Sequence, residues 1–174
     1  MMGITKQEDS VFTPVDTARF RTIMRNPVSS VAIVATGQNG NRAGCTVTAV
    51  CSLSDSPPSL LVCLNRQSTA RHALVENQRF TVNYLAESQG EDADLLAGRL
   101  GVQGDEKFNS ERWQTGPDGL PYLDGALAVL VCVLVNVIEF GSHSILCVAI
   151  REAMSRDDAR PLLYGQGRYT TTTC

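Results

Sequence analysis

Between Ala43 and Thr69 the chain reads AGCTVTAVCSLSDSPPSLLVCLNRQST, two strand-like runs parted by a proline corner and followed by a polar exit into a helix. Small residues dominate the first half: Gly44, Cys45, Thr46, Thr48, Ala49 and Ser52 leave the backbone open to close approach by a flat ligand. Thr46, Val47, Thr48, Ala49 and Ser52 can present amides, carbonyls and hydroxyls to the edge of a heteroaromatic ring. A half-buried strand with its threonines toward solvent accounts for the same alternation. At the far end, Asn65, Ser68 and Thr69 stand where a helix is expected to begin. The first amides of a helix lack partners and carry partial positive charge, so these hydroxyls, with Arg66 or Arg71 nearby, suit a dianionic phosphate. An ordinary capped helix explains them too.

The other candidates are few. His143 follows Gly141-Ser142 at the start of a strand and is either a hydrogen-bond donor to a second ligand or a turn histidine. His72, inside the helix after Ser68, reads as a partly exposed helix residue. Neither sits in a nucleophile motif, which argues against covalent hydrolysis. GxGxxG, Walker and HExxH patterns are missing, so Rossmann, P-loop and zinc-protease chemistry drop out. Six cysteines are scattered without a CxxC pair or a histidine at zinc-ligand spacing. They read as reduced, cytosolic core filler and give no metal site, with Cys174 the exception. Phe108 and Trp113 either wall a ligand or pack in the core or a subunit contact.

These residues need a scaffold. The 174 residues are 43% hydrophobic and 19% charged, which suits one globular domain over 1–174, with residues 1–15 as a flexible arm. A net charge of −3 gives no electrostatic reason to bind nucleic acid. MMGITKQEDS lacks a secretory apolar stretch, and the apolar run from Ala126 to Val135 is far short of the roughly 20 residues of a membrane helix. A soluble, cytoplasmic protein without a membrane partner is expected.

Phe20, Ile23 and Met24 recur at helical spacing after Asp16, a possible cap, and predict a helix that stops before Pro27. Val31–Thr36 reads as a strand, turned at Asn39-Gly40 into a second strand over Cys45–Leu53. Leu60–Leu64 reads as a buried strand, STARHALVEN as a short helix capped by Ser68 or Thr69, Phe80–Leu85 as a strand and Glu91–Leu100 as a second short helix. Gly101–Pro121 holds turns. Leu127–Phe140 and Ser144–Ile150 form long paired strands joined at Gly141, and Leu162–Tyr164 is a last strand before GQGRY. The hairpin-linked order predicts a mainly β fold, a closed barrel with helical attachments.

FRxxM (Phe20 to Met24), NPVSSVAIVAT (Asn26 to Thr36), GCTVTAVCSLSDSPPSLLVCLNRQS (Gly44 to Ser68), FTVNYL (Phe80 to Leu85), ERW (Glu111 to Trp113), GSH (Gly141 to His143) and GRY (Gly167 to Tyr169) follow one another in an order that resembles the short-chain flavin reductases. These are the small NAD(P)H:flavin oxidoreductase components of two-component monooxygenases. The resemblance runs from about Arg19 to Tyr169, and TVTAVCSLSDSPPSLLVCLN is its most specific part.

The resemblance implies a homodimeric, FMN-binding split β-barrel that takes FAD or FMN, with NADH or NADPH as hydride donor and a separate flavin-dependent monooxygenase as recipient of diffusible reduced flavin. It implies that Thr46, Val47, Thr48, Ala49 and Ser52 meet the isoalloxazine and that Asn65, Ser68 and Thr69 hold the ribityl-phosphate end. Pro27 and Tyr169 fall near the flavin, and His143 near the nicotinamide. No side chain is implied as a covalent or acid–base catalyst, because the hydride passes between cofactors. Leu100 replaces a common aromatic residue, and Ser142 replaces Thr or Asp before His143. A non-turnover flavin carrier or sensor on the same barrel is the alternative. A pyridoxamine-phosphate oxidase-like enzyme shares the barrel, though TAVCSLSDSPP resembles the reductases better.

Overall fold

The computed structural model describes residues 13–173; residues 1–12 of the expected arm, and Cys174, lie outside the described residues. Helix α1 (Thr17–Ile23) is capped as its sequence predicts, the Asp16 carboxylate accepting from the amides of Ala18 at 2.8 Å and Arg19 at 3.3 Å. The helix ends before Pro27. Its apolar positions, however, find no core in this chain: Phe20, Ile23 and Met24 are each about half exposed.

The strands that follow are β1 (Ser29–Ser30), β2 (Ala32–Thr36), β3 (Ala43–Val47), β4 (Val50–Asp55), β5 (Pro58–Asn65) and β6 (Arg79–Tyr84), with helix α2 (Thr69–Asn77) before β6. Helix α3 (Gly90–Leu96) and a small hairpin of β7 (Trp113–Thr115) and β8 (Pro121–Leu123) lead to the long pair β9 (Ala128–Phe140) and β10 (His143–Ser155). Strands β11 (Leu163–Gly165) and β12 (Arg168–Thr170) close the described chain. Seven strands form one antiparallel sheet in the order β3-β2-β6-β9-β10-β5-β4, and β1, β11 and β12 form a second. Alternation decides which side chains go inward: along β5, Leu60, Val62 and Leu64 are buried while Leu61 and Cys63 are only half so.

Two expectations are corrected at the edges of this sheet. Cys45–Leu53 is not one strand, because the backbone bends at Thr48 and Ala49. Its halves serve different neighbours, β3 pairing with β2 and β4 with β5. Those two residues therefore carry the chain from one edge of the sheet to the other. The ladder itself does not close: β3 and β4 stand at opposite ends of the strand order, and Thr48–Ala49 bridges them with the Cys63 amide donating to the Ala49 carbonyl at 2.9 Å. The expected closed barrel is a split one.

A further correction shapes the site. The helix predicted over Glu91–Leu100 stops at Leu96 because Gly98, at φ +76°, turns the chain left-handed. Gly98 donates to the Leu95 carbonyl at 3.1 Å and Arg99 to that of Asp94 at 3.0 Å, the pairing of a Schellman end. Strand β10 begins one residue earlier than predicted, at His143, and runs on to Ser155, while β11 is displaced by one residue.

One core lies inside the curled sheet around Val62, Leu74, Phe80, Val82 and Leu146, all at most 3% exposed. Burying a side chain such as Phe80 contributes roughly 1.5–3 kcal/mol. A second core lies under α3, where Phe108 and Trp113 pack with ring centroids 4.6 Å apart. Core packing, not a ligand wall, is their role. Asp105 and Arg42 fix Phe108 in place, through a forked pair at 2.7 and 2.9 Å and an Arg42 bond to the Phe108 carbonyl at 3.1 Å. Among the described residues, no helix is long and apolar enough to cross a membrane.

Candidate functional site

The bend at Thr48–Ala49 opens a trough. Its first lobe, about 320 Å³, is lined by Thr46, Val47, Thr48, Ala49, Asn65, Ser68 and His143 together with Cys45, Cys63 and Leu64. A smaller lobe of about 170 Å³ shares Thr46, Val47 and Thr48 and is bounded by Val31, Ala97, Arg99, Tyr164 and Tyr169. Most of the residues singled out in the sequence thus meet in one place. Ser52, Thr69 and Pro27 line neither lobe: Ser52 is exposed on β4, Thr69 is the exposed first residue of α2, and Pro27 is exposed between α1 and β1.

Strand pairing sets the geometry of the first lobe. His143 and Asn65 are directly opposed between β10 and β5, so the sheet register alone brings histidine and amide side by side. The Asn65 side-chain oxygen accepts from the Gln67 amide at 2.9 Å, which leaves its NH₂ group for a ligand. Ser68 sits at the cap position of α2, yet its side chain makes no cap bond. The predicted side-chain cap is absent, and the hydroxyl lies instead within hydrogen-bonding reach of the Cys45 thiol. Thr46 differs, because its hydroxyl donates to the Ala93 carbonyl at 2.6 Å and ties β3 to α3. Ser142 Oγ lies 2.8 Å from His143 Nδ1. A serine proton donated to Nδ1 leaves Nε2 as the N–H donor of the ring.

The floor of the trough is uncharged. Burial pushes the Cys45 thiol up to about 11, and it also raises Cys63, whose neighbours Cys51 and Cys147 push the same way. At the second lobe Tyr169, expected near the flavin, is held by two residues that sequence reasoning missed, Asp94 and Arg99. Tyr169 donates to Asp94 Oδ1 at 2.9 Å, and Arg99 binds the same oxygen at 2.6 Å. The guanidinium lies 5.6 Å from the Tyr169 ring centroid and 5.8 Å from that of Tyr164. Burial and then the Asp94 contact push the Tyr169 phenol up to about 12, so it remains a donor. Gly98 was the available signal, since the helix end it creates delivers Arg99 to these rings. Leu100, half exposed, lines neither lobe.

This arrangement can lay a planar ring along bare backbone, hold an anionic tail at Asn65 and Ser68, and offer a histidine to a second ligand. It contains no activated nucleophile. Among the described residues, no group of three or more His, Cys, Asp or Glu is placed to hold a metal ion. Compared with known families, residues 24–173 match the flavin reductase-like domain. The chain belongs to that family. It is 40% identical over 171 residues to an FMN reductase (NADH), RutF, of Methylorubrum extorquens, covering 98% of this chain and 82% of that one. It is 38% identical over 151 residues to the 4-hydroxyphenylacetate 3-monooxygenase reductase component of Salmonella typhimurium, covering 87% and 89%. Among solved structures, BorF, the flavin reductase component of a bacterial two-component tryptophan halogenase, superposes with a TM-score of 0.83 at 29% identity, covering 90% of this chain and 98% of BorF.

Proposed function

We propose that this flavin reductase-family chain uses NADH or NADPH to reduce FAD or FMN bound in the trough, and releases the reduced flavin to a separate monooxygenase. The observation that carries the reading is the convergence of the bare Thr46–Ala49 backbone, the Ser68 hydroxyl, which caps no amide, and His143 on one trough. A flavin fits it: small residues admit the ring, neutral thiols leave its floor uncharged, and the Ser68 hydroxyl beside the start of α2 meets the phosphate. The flavin supplies the redox chemistry, accepting hydride from the nicotinamide. The chain's part is to bind and align.

Thr46, Val47, Thr48 and Ala49 present backbone to the isoalloxazine, Asn65 and Ser68 hold the phosphate end, and His143 donates to the nicotinamide. Tyr169, fixed by Asp94, borders the ring. Ser52, Thr69 and Pro27 stay in the proposed site as its outer margin. An open trough built from backbone contacts suits a product that must leave, since tight holding would slow release.

The chain acts as a homodimer. The support is the apolar surface this chain leaves bare: Phe20, Ile23 and Met24 on α1, and Val135, Ile138 and Phe140 on the outer half of β9, are 47–79% exposed. Free thiols at Cys45, Cys51, Cys63, Cys132 and Cys147 support a reducing, cytoplasmic setting.

Anaerobic mixing of catalytic protein with excess NADH and excess free flavin tests the reading. Bleaching of many flavin equivalents per chain, with reduced flavin passing an ultrafilter, is expected. Bleaching that stops at one equivalent would mean a carrier or sensor instead.

A further inference from the structure

Past Asn65 the trough meets a second cleft of about 470 Å³, walled by Arg66, Gln67, Arg71, His72, Gly141 and Ser142. Asn65 lines both spaces, and the β9–β10 turn divides them, with Ser142 on one side and His143 on the other. Two guanidinium groups here share one carboxylate. Arg71 is held on two sides, its Nε donating to Ser144 Oγ at 3.0 Å and its NH2 group paired with Glu139, and its side chain is only 16% exposed. Arg66 is looser: it meets Glu139 at 3.0 Å through Nε and the Gly141 carbonyl at 3.4 Å, and its side chain is 54% exposed. After Glu139 is counted, one positive charge remains. The exposed imidazole of His72 adds a planar ring to the wall.

We infer that this cleft receives the second phosphate and the adenosine of FAD, and that Arg66 is the residue that favours FAD over FMN. The inference rests on the proposed placement of the flavin phosphate at Asn65 and Ser68. A flavin that ended there as FMN would leave the cleft unused. In FAD the same phosphate continues into a diphosphate, and the cleft that adjoins Asn65 is where that extension leads. Its volume is within the roughly 300–1,000 Å³ of small-molecule sites. Arg66 lines the cleft, and with Nε on Glu139 and one outer nitrogen on the Gly141 carbonyl, its remaining NH2 group is left to meet a phosphate oxygen by a charge-assisted bond.

The test is Arg66→Gln, with FAD and FMN titrated separately by flavin fluorescence in the absence of nicotinamide. The dissociation constant for FAD should rise about fivefold, the size expected for losing a partly exposed charge contact, while that for FMN stays within about twofold. Arg66→Lys, which keeps the charge without the guanidinium, should fall between. Equal weakening of both flavins, or of neither, overturns the inference. So does a rise in the KM for NADH at saturating FMN with FAD binding unchanged, because the cleft would then serve the nicotinamide dinucleotide. Ser68→Ala separates this inference from its premise: it should weaken both flavins together, and if it weakens neither, the trough placement itself fails.

Discussion

Gly44 is the tightest point behind the trough, and replacing it by alanine should loosen both fold and site. A Cβ at this position falls 2.6 Å from the Val34 carbonyl oxygen and 3.1 Å from the Phe108 ring. The carbonyl belongs to the paired strand β2 and cannot withdraw without breaking the ladder. Phe108 cannot withdraw either, because Arg42 and Asp105 pin its segment. Edge strand β3 must therefore move outward, straining the Thr46 bond to Ala93 and shifting the residues that line the trough. Overpacking of this kind costs about 1–3 kcal/mol. Gly90→Ala is the control: it makes the same chemical change at φ −61°, where the new Cβ meets nothing nearer than 3.7 Å. That change should be neutral or stabilising by about 0.4–1 kcal/mol. Urea denaturation of the two variants and the parent gives the comparison directly. A Gly44→Ala midpoint equal to the parent's would refute the packing argument.

Other consequences follow from the same geometry. Ser68→Ala should weaken flavin binding several-fold in a fluorescence titration yet leave the urea midpoint unchanged, because the hydroxyl makes no cap bond; a loss of about 1 kcal/mol of stability would show that it caps after all. His143→Ala should raise the apparent KM for NAD(P)H more than the dissociation constant for flavin, and equal effects in steady-state and binding assays would count against its role. Arg42 holds the Asp105 carboxyl down to about 2 from 3.8, so the pair stabilises the fold above pH 4 and loses its effect as pH falls toward 2. Asp105→Asn should therefore cost about 1 kcal/mol at neutral pH, after allowance for solvent screening, and progressively less in acid denaturation series near pH 3.

How much of this was readable in the chain depends on the range of the forces involved. Local signals carried well: Asp16 before an apolar period indicated α1, Asn39-Gly40 the β2–β3 hairpin, and a short apolar run bounded by polar residues β5. The residues that line the trough were singled out by their small side chains and hydroxyls together with the family resemblance, because the alternation alone is equally that of an ordinary half-buried strand. What failed required knowing the partners. Cys45–Leu53 has uniform strand propensity, and its break at Thr48–Ala49 arises only because β2 and β5 claim different halves. Ser68 has the composition of a cap, but whether its hydroxyl is used depends on its rotamer and surroundings. Arg99, Asp94 and Tyr169 are distant in sequence and meet through the end of α3 and the second sheet. The apolar stripe of α1 correctly indicated a helix, but periodicity cannot say whether the surface it covers belongs to the same chain.

The most direct measurement is the steady-state oxidation of NADH and of NADPH by the purified protein, with FAD or FMN varied from none to excess. Nicotinamide oxidation that is negligible without flavin and saturates as flavin is added is the predicted result. Protein that binds flavin but oxidises neither nucleotide at any flavin concentration would contradict the account and leave a flavin carrier or sensor in its place.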